Sequence, residues 1–309
     1  MKNLLYRIFL FFIPVILFTI GCEIFVRNIP SAYKQKRDQL IANNDSIKIL
    51  VLGSSHAMDG VDPNQFTLYA HNMAFGSQSI YFDLKLAEKY VPDLPQLKYV
   101  LLTLDYNSLY YDHDDARDFF YKYYYDLSYK NRKFYKESVL QAFFVYTYEQ
   151  TLSMMLRSLK DNRNERLVKG WSNNSGRDDA TVSSVERNEL RAKGFNYTVK
   201  TWEGGDSVLN ELEELIFFLL SKNITPILIT YPTYSLMNSF LDASIFEKIR
   251  NVGYELSQKH QIPYLDYSND CSFTIEDFFN CDHVNKEGAA KLSKKINEVI
   301  MNMEEKNIF

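Results

Sequence analysis

The sequence has no excess of positive charge. It contains 35 lysine and arginine residues against 39 aspartate and glutamate residues, which gives a net charge of −4 at pH 7. Proteins that bind nucleic acid usually present a basic field to the phosphate backbone. We therefore expect no nucleic-acid partner.

Histidine and cysteine are scarce, with five and three residues, and no set of them shows the spacing of a metal site. We expect no metal ion and no cofactor. His71, His113 and His260 are interpreted as ordinary imidazoles. Cys271 and Cys281 close a loop of about ten residues, and both a disulfide in an oxidising compartment and two separate thiols are compatible with that spacing.

Long apolar runs are absent except near the start of the chain. The run 8–22 has 15 residues, whereas a membrane-crossing helix needs about 20. Neighbouring apolar residues extend it, and Arg7 and Glu23 lie where long side chains reach the interface. We predict a single membrane helix within residues 4–26 of an uncleaved anchor, residues 1–27, and a cleaved secretory peptide is the alternative.

The remaining chain suits one α/β domain, predicted over residues 47–309, with a polar linker or short helix over 28–46 and an insertion at about 106–205. Strand-like and helical segments alternate along it. The strand-like segments are 47–52, 97–104, 224–230 and 262–265, and the helical ones are 81–90, 207–222 and 243–260. This alternation predicts a parallel central sheet with helices on both faces.

A serine follows the first strand directly. The apolar segment 47–52 runs into Gly-Ser-Ser, and α/β sheets carry their chemistry at the carboxyl ends of strands, so Ser55 is the candidate nucleophile. A serine hydroxyl needs a base, and His283 lies just before a helix predicted to begin near Asn285. His56 gives positional support at best, because adjacent side chains usually diverge.

This order of residues resembles the SGNH (GDSL-like) hydrolase family. The triplet 53–55 stands where that family has Gly-Asp-Ser, and residues 72–76 resemble its second block. The resemblance implies a three-layer, flavodoxin-like fold. It also implies an oxyanion hole formed by the backbone N–H groups of Ser55 and Gly76.

The beginning of the chain resembles a membrane-anchored branch of this family, which includes the D-alanine transfer protein of teichoic acids and the alginate O-acetylation proteins. Glu23, Arg27 and the segment 30–33 (Pro-Ser-Ala-Tyr) match the opening of that branch. This implies a single-pass protein of the cell membrane whose domain lies on the non-cytoplasmic side. The distribution of lysine and arginine around the segment favours the opposite orientation.

Two features depart from the family pattern. Asn280 stands where the family usually has an aspartate, and loss of that charge from a triad can cost about 10⁴-fold in rate. Asp282 and Asp277 are nearby carboxylates, and of the two we favour Asp282. The third block of the family is missing, so Asn107 is assigned to the oxyanion hole by position alone.

The predicted insertion is unlike the rest of the chain. Residues 106–148 contain eleven tyrosines. We favour a helical cap packed on the sheet with solvated hydroxyl groups, and a carbohydrate platform or an interfacial belt is the alternative. Residues 161–194 are predicted to be a mobile surface loop.

Two classes of function follow. The first is a membrane-anchored serine acyltransferase or esterase that acts on an acyl group, most simply O-acetyl, of an extracytoplasmic glycan in the cell envelope. The second is a catalytically weak or inactive binding module that assists a membrane-bound acyltransferase. Asn280 and the missing third block favour the second class, and a shared fold cannot decide between them.

Overall fold

The computed structural model describes residues 2–28, 31–105, 108–110, 118–131, 167–171, 182–201 and 205–306. Within these ranges, five strands form one sheet in which each neighbouring pair is parallel. The strands are β1 (Ile49–Val51), β2 (Ala70–Asn72), β3 (Tyr99–Thr103), β4 (Thr225–Thr230) and β5 (Tyr264–Asp266). Their order across the sheet is β2-β1-β3-β4-β5.

Helices connect and flank these strands. In chain order they are α1 (Lys2–Asn28), α2 (Ala32–Ala42), α3 (Ser55–Gly60), α4 (Ile80–Tyr90), α5 (Asp118–Tyr125), α6 (Val185–Thr201), α7 (Gly205–Ser221), α8 (Ser235–Asn238), α9 (Ala243–His260) and α10 (Lys286–Lys306). Each helix predicted in the α/β domain is present within a few residues of its expected bounds.

The first strand is an interior strand, as predicted. β1 pairs with β2 on one side and with β3 on the other. Its side chains alternate between two apolar clusters, with Leu50 in one and Ile49 and Val51 in the other. A strand that is buried on both faces must be apolar throughout, which explains the continuous run in the sequence.

The two clusters define three layers. One face of the sheet packs against α4, α7 and α9, and the other packs against α3 and α10. On the second face, Leu292, Ile296 and Ile300 of α10 recur at helical spacing and are fully buried. Burial of each such side chain is worth about 1.5–3 kcal/mol, so this stripe holds α10 on the sheet.

Residues 32–42 form helix α2, and a short helix was one of the two predictions for this segment. α2 packs against α5 and buries Lys36 and Leu40, so it belongs to the packed domain. One part of the chain differs from expectation. Residues 185–194 belong to α6 and are not a surface loop, because Asn188 and Ala192 are buried on one side of that helix. These two buried residues, four positions apart, are too few to reveal a helical period in the sequence.

α1 covers the segment for which a membrane helix is predicted. Among the residues that the structure describes, no helix combines the length and the apolarity needed to cross a membrane.

Four described tyrosines of the insertion, Tyr110, Tyr121, Tyr124 and Tyr125, are core residues, whereas Tyr129 is partly buried and Tyr197 is exposed. Tyr121 stacks on Phe82 with ring centroids 3.8 Å apart, and its hydroxyl donates to Gln78 Oε1 at 2.8 Å. The Tyr125 hydroxyl donates to the Tyr33 carbonyl at 3.1 Å. The helical cap is therefore present here, but these two hydroxyl groups bond to protein groups and not to solvent. The other tyrosines of residues 132–148 lie outside the described residues.

The turn between β1 and α3 requires a glycine. Gly53 has φ of 128°, a conformation that L side chains rarely adopt. A Cβ atom at this position would overlap the Thr103 hydroxyl group of β3. The absence of a side chain therefore lets the chain turn sharply and present the two following serines at the carboxyl edge of the sheet.

We predict that Gly53→Ala lowers the free energy of unfolding by about 2–5 kcal/mol, because it adds both backbone strain and overpacking. Urea denaturation measures this loss. Gly194→Ala is the matched control, since a Cβ there meets no atom within 4 Å and alanine favours the helix. Equal stability of wild type and Gly53→Ala would show that the turn tolerates a side chain.

Candidate functional site

Ser55 is the first residue of α3 and lies at the carboxyl end of β1. The preceding residue, Ser54, caps the helix by accepting a hydrogen bond from the His56 backbone N–H at 3.3 Å. The strand, the glycine turn and the cap together fix the start of α3. The Ser55 hydroxyl group lines a cavity at this edge of the sheet.

The imidazole of His283 meets this hydroxyl, as predicted. Ser55 Oγ and His283 Nε2 are 2.8 Å apart although 228 positions separate the two residues. His283 lies in the loop before α10, where an isolated antiparallel bridge joins Phe278 to Val284. Because α10 begins at this edge of the sheet, the loop before it places His283 at the carboxyl end of β1.

The tautomer of His283 follows from its other neighbours. Its Nδ1 is 3.1 Å from Asn280 Oδ1 and 3.2 Å from Asp282 Oδ1. Asn280 Oδ1 also accepts the backbone N–H groups of Asp282 and His283 at 3.0 and 2.8 Å, which identifies it as the amide oxygen. Both neighbours are acceptors, so Nδ1 carries the proton and Nε2 presents a lone pair to Ser55.

Asp282 is a buried carboxylate whose neighbours are a guanidinium group and two imidazoles. Its second oxygen, Oδ2, accepts from Nε and Nη2 of Arg191 at 2.9 and 2.6 Å. Burial works to raise the pKa of Asp282, but His283, Arg191 and His56 outweigh it and hold this pKa well below its usual range. Asp282 is therefore ionised and supplies the negative charge that Asn280 lacks.

The other predicted candidates have different positions. Asp277 accepts from Lys291 Nζ at 2.6 Å and from the Thr274 backbone N–H at 2.8 Å, so it caps a short turn and pairs with α10. Asn107 lies outside the described residues. Gly76 lies in the turn after β2, next to Ser77, which lines the same cavity as Ser55.

The turn that contains Gly76 is tied to the turn that contains Ser55. The Phe75 backbone N–H donates to the Gly53 carbonyl at 3.1 Å. Asn72 Nδ2 donates to the carbonyl groups of Ala57 and Val61, both at 3.0 Å, and thereby joins the end of β2 to α3. These hydrogen bonds therefore join the two segments that are predicted to supply the oxyanion hole.

A second imidazole and carboxylate pair lies beside the first. His56 Nδ1 and Asp105 Oδ2 are 2.5 Å apart, and the ring centroids of His56 and His283 are 5.0 Å apart. Burial works to lower the pKa of His56, but Asp105 outweighs it, so the pKa of His56 is raised. The Ser54 hydroxyl also donates to Asp105 Oδ2 at 3.1 Å, so one carboxylate braces both neighbours of Ser55.

Sequence reasoning gave His56 a minor role and missed Asp105 and Arg191. Asp105 could have been found, because it follows β3, and β3 lies next to β1. Arg191 left no signal in the sequence, since it lies on a helix in the part of the chain that resembles the family least.

The cavity beside Ser55 is small, with a volume of about 90 Å³. Polar groups dominate its wall, which also includes Ile80 and Phe195. Among the polar groups is Asp83, whose Oδ1 accepts from Gln78 Nε2 at 2.6 Å. Burial raises the pKa of Asp83 to about 8, so this carboxyl group is mostly neutral at pH 7.

His56, Asp282 and His283 place one ligand atom each within 4.8 Å of one another. Sequence spacing did not reveal this set, which the fold assembles. Imidazole and carboxylate are zinc ligands, but the Arg191 guanidinium binds the same carboxylate and adds positive charge beside the set.

Cys271 and Cys281 are separate thiols, the first exposed and the second buried. Burial raises the pKa of Cys281 to about 12, so this thiol is protonated and unreactive.

The described fold and site define a three-layer parallel α/β protein with a serine and histidine pair at the carboxyl edge of its sheet. No known family profile matches the chain. No curated protein matches it in sequence either.

Solved structures resemble it at low identity. They include a proposed acylhydrolase from Bacteroides fragilis, with 12% identity, a TM-score of 0.43 and coverage of 89% of this chain and 98% of that one. A GDSL-like lipase from Bacteroides thetaiotaomicron has 10% identity, a TM-score of 0.41 and coverage of 87% and 100%. An acetylxylan esterase from Geobacillus stearothermophilus has 10% identity, a TM-score of 0.37 and coverage of 83% and 94%.

We predict that Asp83→Asn reduces the loss of stability between about pH 5 and about pH 8. The folded chain keeps the Asp83 proton up to a pKa of about 8, whereas the ordinary value is 3.8. Between these values the unfolded chain binds fewer protons, so wild-type stability falls as pH rises, by at most about 1.4 kcal/mol per pH unit. Asparagine does not titrate and removes this loss.

Urea denaturation at the two pH values measures the effect. Asp93→Asn, at an exposed carboxylate, is the control. Identical pH slopes for wild type and Asp83→Asn would contradict a neutral buried carboxyl group at this position.

Proposed function

We propose that this protein is a serine-dependent esterase or acyltransferase of the SGNH type that acts on a short acyl ester. The observation that carries the proposal is the 2.8 Å separation between Ser55 Oγ and His283 Nε2, with Nδ1 facing two acceptors. This is the arrangement that an activated serine needs.

The proposed reaction has two halves. Ser55 Oγ attacks the ester carbonyl while His283 Nε2 takes the hydroxyl proton. The resulting oxyanion is stabilised by the backbone N–H groups of Ser55 and Gly76. His283 then returns the proton to the leaving alcohol, which leaves an acyl-serine. In the second half, water or the hydroxyl group of an acceptor attacks the acyl group while His283 Nε2 takes its proton. The bond between the acyl group and Ser55 Oγ then breaks, and His283 returns the proton to Ser55 as the acid or the new ester leaves.

The cavity supports a short acyl group. Its volume of about 90 Å³ and its largely polar wall suit an acetyl group better than a long apolar chain. A wider groove adjoins it, with a volume of about 630 Å³, and shares Arg191, Phe195 and Asp282 with the cavity. An extended alcohol such as a glycan would lie in this groove while its ester enters the cavity.

The glycan and the location come from the sequence alone. The matches at Glu23, Arg27 and residues 30–33 favour an acylated glycan of the cell envelope, attachment to the membrane and a domain on the non-cytoplasmic side. They also favour a membrane-bound acyltransferase as a partner. A reporter fused after Phe309 that is active only in the cytoplasm would contradict this location.

We predict that a fluorophosphonate probe labels the purified protein at Ser55 and that Ser55→Ala abolishes labelling. Mass spectrometry of the labelled peptide identifies the residue. Ser221→Ala is the control, because it removes an exposed hydroxyl group at the end of α7 and leaves Ser54, Ser55 and His283 unchanged. A wild-type protein that is neither labelled nor active on p-nitrophenyl acetate would instead favour the binding module.

We predict that Asp282→Asn lowers kcat for p-nitrophenyl acetate by about 10²- to 10⁴-fold, because the imidazolium loses the carboxylate that lies beside its Nδ1. Asn280→Asp restores part of the rate when combined with Asp282→Asn, since it places a carboxylate at the same nitrogen. Steady-state kinetics measure both effects. If Asp282→Asn changes nothing and Asn280→Asp alone raises kcat, position 280 does the orienting.

A further inference from the structure

The two oxygens of the Asp282 carboxylate have different partners. Oδ2 accepts from Nε and Nη2 of Arg191 at 2.9 and 2.6 Å, and Oδ1 lies 3.2 Å from His283 Nδ1. Consecutive side chains in extended chain point apart. Here Asn280 Oδ1 accepts the backbone N–H groups of Asp282 and His283 and forms a turn. This turn directs the Asp282 carboxylate toward the His283 ring.

Arg191 fixes the plane of this carboxylate. The terminal torsion of aspartate is broad, so a carboxylate without a second partner can rotate its oxygens away from the imidazole. The guanidinium fork places two N–H groups on Oδ2 and thereby leaves Oδ1 toward His283. Asp282 is only 2% exposed, and a buried charge of this kind needs a partner.

The position of Arg191 is itself held by its helix. Ala192 of α6 is fully buried, and Asn196 bonds through Nδ2 to the Phe240 carbonyl at 3.0 Å and through Oδ1 to the Asp242 backbone N–H at 3.0 Å. The Phe195 ring lies under the guanidinium group, 4.5 Å from its carbon. These contacts anchor α6 around Arg191, and the Phe195 ring supports the guanidinium group beside Asp282.

We propose that Arg191 is a positioning residue for the serine chemistry and that it holds Asp282 so that Oδ1 orients His283. This inference rests on the proposed function. It explains how a site with asparagine at position 280 keeps an oriented carboxylate: the acid lies next to the histidine, and an arginine from a distant helix holds it.

The kinetic experiment compares Arg191→Met, Arg191→Lys and the control Lys193→Met, which removes an exposed charge on the same helix. Arg191→Met lowers kcat for p-nitrophenyl acetate about 10- to 100-fold, the usual cost of losing a residue that orients a functional group, and changes KM less than kcat. Arg191→Lys restores part of kcat, and Lys193→Met leaves it unchanged.

Nitrogen-15 NMR of labelled histidine gives a readout that does not need activity. The His283 ring shows the Nδ1–H tautomer in wild type and averaged shifts in Arg191→Met. Unchanged ring shifts together with unchanged kcat would overturn the proposal. If wild type shows no turnover and no fluorophosphonate labelling, the proposed function fails, and the ring shifts alone still decide whether Arg191 orients His283.

Discussion

The close packing of the carboxyl ends of β1 and β3 is the constraint on which the site depends. Gly53 packs against Thr103 of β3, and a side chain at position 53 would overlap that residue. The chain can therefore pass from β1 into α3 so close to β3 only with glycine at this position. Asp105 follows Thr103 by two residues and is thereby brought beside the turn, where its carboxylate binds Ser54 and His56. Ser55 lies between Ser54 and His56, so these two contacts also fix the position of Ser55.

The framework of the domain was predictable because it depends on local periodicity. A continuous apolar run, as in residues 47–52, marks a strand buried on both faces, and helical spacing marks helices such as α9. β2 was not predicted as a strand, because it has three residues and two of them, His71 and Asn72, are polar. The contact of Ser55 with His283 could be expected from the order of the motifs, although no local rule measures such a distance.

The electrostatic surroundings of the site could not be read from the sequence. From the sequence, either Asp282 or Asn280 was expected to orient His283. In the structure, both residues lie within 3.2 Å of His283 Nδ1. Arg191 reaches Asp282 across 91 positions, and nothing in the spacing of charged residues records that contact. Burial and the partners of a charge are properties of the packed chain, and they determine which residue is ionised and which is neutral.

The order of the strands also affects how the chain folds during synthesis. β1, β2 and β3 lie within residues 49–103, whereas β4, which pairs with the other edge of β3, begins at Thr225. At about 5–20 residues per second, the intervening stretch of about 120 residues takes on the order of 6–25 s to translate. During that interval β3 presents an apolar edge that can pair with other chains. The long insertion therefore extends the time during which the edge of β3 is unpaired and open to aggregation.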